Sequence, residues 1–156
     1  MGSTHDSIAL NLELLRKELE DFIHFYQKGL DYHLMVYALW NAKDILGHIT
    51  FWHESFARNI SDLGEGIKPS PLKGKLSEVN RASVGTTKNV SVTDLIDRLK
   101  KAQQIVERYI FMEEIDLIPY KKGSRDYSRE EHLLIVAQHI RRHLKDLKKI
   151  YKTHLR

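Results

Sequence analysis

Asn41-Ala42-Lys43-Asp44-Ile45-Leu46-Gly47-His48-Ile49-Thr50-Phe51-Trp52 is the stretch on which the fold turns. Asn41 is a good helix N-cap, because its side-chain oxygen can accept from a backbone N–H of the first turn. Asp44 stands three residues on, where a carboxylate can reach back to the cap. Downstream, Ile45, Ile49, Trp52, Phe56, Ile60 and Leu63 fall on one face at helical spacing. The pattern predicts a long amphipathic helix that buries one stripe.

Three further segments read the same way. Ile8, Leu12, Leu15, Leu19, Phe22 and Tyr26 draw a stripe along a first helix from about Ser7 to Lys28, with Gly29 placed to end it. Leu95, Leu99, Ala102, Val106 and Tyr109 or Ile110 form the stripe of a helix opening at Ser91-Val92-Thr93-Asp94. Leu133, Val136, Ile140, Leu144, Leu147 and Tyr151 form that of a last helix opening at Ser128-Arg129-Glu130-Glu131. Residues 65–90 make a long connection, with one short helix near Leu76–Val84. The expectation is an all-α four-helix bundle, with this long connection between its second and third main helices. Residues 1–6 are expected to be a tail, and 7–156 a single domain.

Composition narrows the function. The 156 residues contain no Cys, so thiolate nucleophiles, disulfides and iron–sulfur clusters are excluded. No apolar run approaches the roughly 20 residues of a bilayer span, so no membrane partner is expected. The N-terminal residues lack a basic stretch followed by an apolar one, which makes cytoplasmic location the expectation. A net charge of +4 is too mild to mark a nucleic-acid binder. Arg141, Arg142, Lys145, Lys148, Lys149 and Lys152 read as a solvated face, since no aromatic residues interleave with them. There is no nucleophile elbow and no phosphate-cradling Gly-rich loop.

Nine His remain as candidate chemistry. His139 and His143 are four apart, so their imidazoles share one helix face and can serve one cation. His132 lies near that face but about 10 Å lower, which makes it a poorer partner for the same ion. On the second helix, His48 lies roughly 60° from the Ile45 direction and His53 roughly 80° to the other side. If the second and last helices pack side by side, His48, His139 and His143 can converge. Three imidazoles and a water suit Zn²⁺, with Ni²⁺ and Fe²⁺ also compatible. A lone His on an apolar face is more often a hydrogen-bonded core residue. His24, His33, His53 and His154 read as ordinary surface or packing residues, and His5 as part of the tail. Asp44 reads as a cap first, and as a carboxylate orienting His48 second. Trp52 reads as a core aromatic or a pocket wall. Gly47 costs helix propensity, which close packing or room for a ligand would explain. Glu54, Glu130 and Glu131 are candidate bases whose placement the sequence leaves open.

Trp40 through Ile49 resembles the second-helix signature of the DinB-like superfamily, in which Trp, a small residue, Lys-Asp and an aliphatic pair precede a His. His139-Ile140-Arg141-Arg142-His143 resembles that superfamily's last-helix motif, and the two lie in the same order, about 90 residues apart. Val79-Asn80-Arg81, Ser91 through Ile96, and His48-Ile49-Thr50-Phe51-Trp52-His53 are similar to the ClbS/DfsB-type branch. The resemblance implies a metal-binding four-helix bundle with His48, His139 and His143 as ligands. It further implies a divalent cofactor (Zn²⁺ or Ni²⁺), a small-molecule ligand and a homodimer. Relatives catalyse thiol-dependent transfer or isomerisation, and others resemble hydrolases. One member of the branch hydrolyses a cyclopropane, but His139-x3-His143 follows the general metal-binding pattern, so that chemistry is not carried over. The leading expectation is a metal-dependent hydrolase or transferase acting on a small electrophile. Its rival is a non-catalytic small-molecule-binding or protective dimeric module.

Overall fold

A computed structural model describes residues 4–153 of the chain. Five helices are present: α1 (Thr4–Phe25), α2 (Ala42–Gly64), α3 (Leu76–Gly85), α4 (Val92–Tyr109) and α5 (Arg129–Lys152). Two short strands, β1 (Leu117–Ile118) and β2 (Tyr127–Ser128), form an antiparallel hairpin between α4 and α5. The long helices α1, α2, α4 and α5 are the four that the periodicity predicts, and α3 is the short helix expected in the 65–90 connection.

The caps form as the local sequence demands. Asn41 accepts from the Asp44 N–H at 2.8 Å, and Asp44 returns the bond to Asn41 N at 3.0 Å. Asp44 is therefore a cap rather than a partner of His48. Ser128 and Glu131 make the same reciprocal pair at the start of α5. Each such cap stabilises its helix by about 1 kcal/mol. The first helix differs from expectation at both ends. It begins at Thr4, three residues early, and His5 stacks on Phe111 at 4.7 Å. It stops at Phe25, and Gly29 turns the chain at φ +70° beyond the helix end.

The predicted stripes face one another. Ile8, Leu12, Leu15, Ile45, Leu95, Leu99, Leu133 and Leu147 are all buried in one core. Packing is uneven around the bundle, however. α2 lies closely along α4 and α1 along α5, whereas α2 and α5 meet over a much shorter length. That looser seam holds the cavity described below. Around it, α3 packs on α2, and the hairpin closes one end. Lys122 N donates to Leu72 O at 2.8 Å, tying the 65–75 segment to the hairpin.

Among the described residues no helix is long and apolar enough to cross a membrane. His154 lies outside the described residues.

Candidate metal centre

α2 and α5 bring His48, His139 and His143 together. The Nε2 atoms of His48 and His139 are 3.3 Å apart, and those of His143 and His139 are 2.9 Å apart. One ligand nitrogen from each ring lies within 4.8 Å of the others, a spacing at which all three could hold a single metal ion. His48 and His143 are buried and His139 is half-buried.

The outer nitrogens of two of these rings are fixed by hydrogen bonds. His48 Nδ1 is 3.0 Å from Ser83 Oγ, and that hydroxyl spends its proton on the Asn80 carbonyl at 2.6 Å. His48 Nδ1 must then carry the hydrogen and donate it. Likewise, the Tyr37 hydroxyl donates to Asp146 Oδ2 at 2.6 Å and accepts from His143 Nδ1 at 2.9 Å. Both rings therefore turn an Nε2 lone pair inward. With two inward lone pairs, a single N–H on His139 can fully satisfy only one of them, whereas a cation among the rings would engage all three. This donor set fits a divalent ion.

Burial makes the rings good ligands as well. Loss of solvent, reinforced by the neighbouring imidazoles and Arg142, pushes His48 down to about 2. His139 falls to about 3 and His143 to about 4, mainly through burial and with Arg142 acting in the same direction. All three are neutral at pH 7 and their lone pairs are free.

The supporting shell comes from three places. α3 supplies Ser83 and Asn80. The 26–41 segment supplies Tyr37 and Trp40, held in a tight turn in which Val36 N and Tyr37 N both bond to Trp40 O. Trp40 then packs on His48, with ring centroids 4.7 Å apart. α5 itself supplies Asp146. Gly47 has a direct packing reason: a Cβ there would lie 2.0 Å from Thr87 Oγ1, just past the end of α3. The close approach lets α3 reach His48.

A cavity of about 440 Å³ opens beside the triad between α2 and α5. His48 and His139 form one end, and Trp52, Phe56, Tyr120 and His132 line its sides and floor. Trp52 is a wall as well as a packed aromatic. It stacks on Tyr120 at 4.8 Å with planes 11° apart, and its indole N–H donates to Asn80 Oδ1 at 2.9 Å.

His53 and His132 are buried and line the same cavity. His53 donates from Nε2 to Gln103 Oε1 at 2.7 Å, as expected of a packing residue. The candidate bases lie elsewhere. Glu54 is paired with Arg98, and Glu131 with Arg125 and its own cap, and neither they nor Glu130 line the cavity.

Sequence reasoning missed Ser83, Tyr37 and Asp146. Their distances along the chain from the His they orient carry no local periodic signal.

Fold and site together define a helical bundle with a buried three-imidazole centre. No family model matches the chain, and no curated protein matches it. Among solved structures it is similar to the mycothiol-dependent maleylpyruvate isomerase, with a TM-score of 0.71 and 14% identity, covering 94% of this chain and 63% of that one. The chain thus spans less than two thirds of that protein's length. The likeness shows the helical fold.

Proposed function

We propose that the protein binds one divalent metal ion through His48, His139 and His143, and uses it to transform a small electrophilic molecule held in the adjoining cavity. The observation that carries this reading is the inward set of Nε2 atoms, with His48 and His143 oriented from behind by Ser83 and by Tyr37–Asp146. Zn²⁺ and Ni²⁺ suit three imidazoles best. When bound, the ion supplies Lewis acidity that polarises an electrophile.

The chain's own residues do the rest. Trp52, Phe56 and Tyr120 give the cavity aromatic walls. Arg142 lines it too, and favours substrates that carry or develop negative charge. The chain provides no thiol. A transferase or isomerase reaction of the kind named for the structural neighbour would therefore bring its thiol as a cosubstrate. Hydrolysis is the reading that requires no second organic partner. We assign the protein to the cytoplasm, as a homodimer of the ClbS/DfsB type, on the sequence resemblance.

Metal analysis of protein purified without chelator tests the ligation. One equivalent of Zn²⁺ or Ni²⁺ in the wild type and none in His143→Ala supports it, and equal near-zero metal in both overturns it. Turnover of esters, epoxides or thiol conjugates that depends on the metal identifies an enzyme. Tight binding of such compounds without turnover identifies the protective binding module instead.

A further inference from the structure

The cavity has a polar floor that the triad does not use. His132 is 2% exposed and its ring lies flat on Phe56, with centroids 4.1 Å apart and planes 15° apart. Its Nδ1 is sealed and has no partner. Its Nε2 also has no partner among the described residues, but it is not sealed, so it opens onto the cavity that the residue lines. Asn59, also 2% exposed, spends Nδ2 on the Pro119 carbonyl at 3.1 Å and leaves Oδ1 open in the same way. The two residues line the same cavity and have neighbouring partners. Asn59 is one helical turn beyond Phe56, and Pro119 precedes Tyr120, whose ring is 6.1 Å from that of His132.

Polar atoms that have no protein partner and face a cavity are free to bond to water or to a ligand. We propose that His132 and Asn59 form a second ligand subsite, which grips an uncharged hydroxyl or carboxamide carried on a flat ring. Asn59 Oδ1 accepts the ligand's O–H or N–H. His132, as the Nε2–H tautomer, donates to the ligand's oxygen. A carboxylate would meet the Asn59 acceptor oxygen, and an ammonium would find no countercharge on this floor. The stacked pairs Trp52–Tyr120 and Phe56–His132 supply flat apolar faces for the ring. His132 precedes His139 by two turns of α5, about 10 Å of helix, so a ring seated here lies within reach of the end of the cavity that the triad lines. The assignment deepens the proposed function by naming a ligand class for that site.

The test uses the full chain with ¹⁵N-labelled His, zinc-loaded and zinc-free, titrated with phenol, benzamide, toluene and benzoate. Phenol and benzamide are expected to give a saturable shift of the His132 imidazole nitrogens and to bind at least tenfold more tightly there than toluene, while benzoate, whose carboxylate Arg142 attracts, is expected to bind without that His132 shift. His132→Phe and Asn59→Leu are each expected to weaken phenol binding at least tenfold while zinc content stays unchanged. No saturable His132 shift up to the solubility limit of phenol, equal binding of toluene, or full phenol affinity in the folded variants overturns the subsite. If either variant fails to fold, the wild-type titration decides alone. Loss of zinc binding with an intact phenol response would instead sink the metal reading and leave the subsite standing.

Discussion

Nδ1 of His48 donates to the Ser83 hydroxyl across 3.0 Å, and so a residue of the short helix α3 sets the tautomer of a candidate ligand on α2. Ser83 is fully buried, and its own proton goes to Asn80 O. Replacing Ser83 with Ala is expected to weaken zinc binding by about 10–100-fold, the usual effect of losing a hydrogen bond behind a ligating imidazole. Isothermal titration with Zn²⁺ measures it. Unchanged affinity would show that α3 only packs there.

Tyr37 does the same for His143 from the opposite side. Tyr37→Phe is expected to cost about 10–100-fold in zinc affinity, and Asp146→Asn less, because the Tyr37 oxygen remains to accept from His143. The two rings are in contact, with centroids 5.2 Å apart, and would share one ion, so the losses from Ser83→Ala and Tyr37→Phe should depart from additivity by about 0.5 kcal/mol or more. A double-mutant titration checks this.

Zinc should stabilise the fold it completes. At a free concentration 100 times its dissociation constant, an ion that binds only the native state adds about 2.7 kcal/mol. Thermal melts should rise on zinc addition and fall on chelation in the wild type. His143→Ala should show neither response.

His53 and His132 make the metal-free protein acid-sensitive. Burial, opposed in part by the bond to Gln103, lowers His53 to about 4. Burial and the nearby His53 lower His132 to about 3. Above pH 6.5 both rings are neutral in the folded and the unfolded chain, and stability is unaffected. As pH falls below 6.5 the unfolded chain takes up protons that the folded chain refuses, so stability drops until the folded values are reached. Each buried ring is expected to cost about 2 kcal/mol between pH 7 and pH 5. Urea unfolding of chelated protein at the two pH values measures the sum over these two rings and the triad imidazoles His48, His139 and His143, which burial lowers in the same way, and His132→Phe should remove one share.

Gly47→Ala sets helix propensity against packing. Ala favours a helix interior by about 1 kcal/mol over Gly. At Gly47 the new methyl would lie 2.0 Å from Thr87 Oγ1 and 2.9 Å from Thr87 Cβ. The buried Thr87 hydroxyl is itself bonded to Ser83 O at 2.7 Å, so it cannot swing away freely. Overpacking of this kind costs about 1–3 kcal/mol. The variant should melt lower and bind zinc more weakly, since the clash pushes the Ser83 helix from His48. A higher melting temperature would contradict this.

The long helices were legible because their signals are local. Asn41 with Asp44 and Ser128 with Glu131 cap within four residues, and the stripes of α1, α2, α4 and α5 repeat within a turn. The hairpin was not legible. Its strands are two residues each, and Leu117 pairs with Ser128 across a loop with no alternating pattern to announce it. His132 was seen but not understood: its spacing from His139 makes it a poor co-ligand, while its place on the cavity floor depends on where Phe56 and Tyr120 arrive.

By itself the sequence determined which segments coil, which faces they bury, and that His139 and His143 share one face, because helical periodicity follows from the chain's own geometry. Only the tertiary structure decided that α2 and α5 stay apart along most of their length, leaving a cavity lined by His48 and His139 of the triad and by a polar floor. It alone also decided which nitrogen of His48 and of His143 turns inward. Those outcomes depend on contacts between residues tens of positions apart, such as Ser83 with His48 and Tyr37 with His143, and on a glycine small enough to let Thr87 approach.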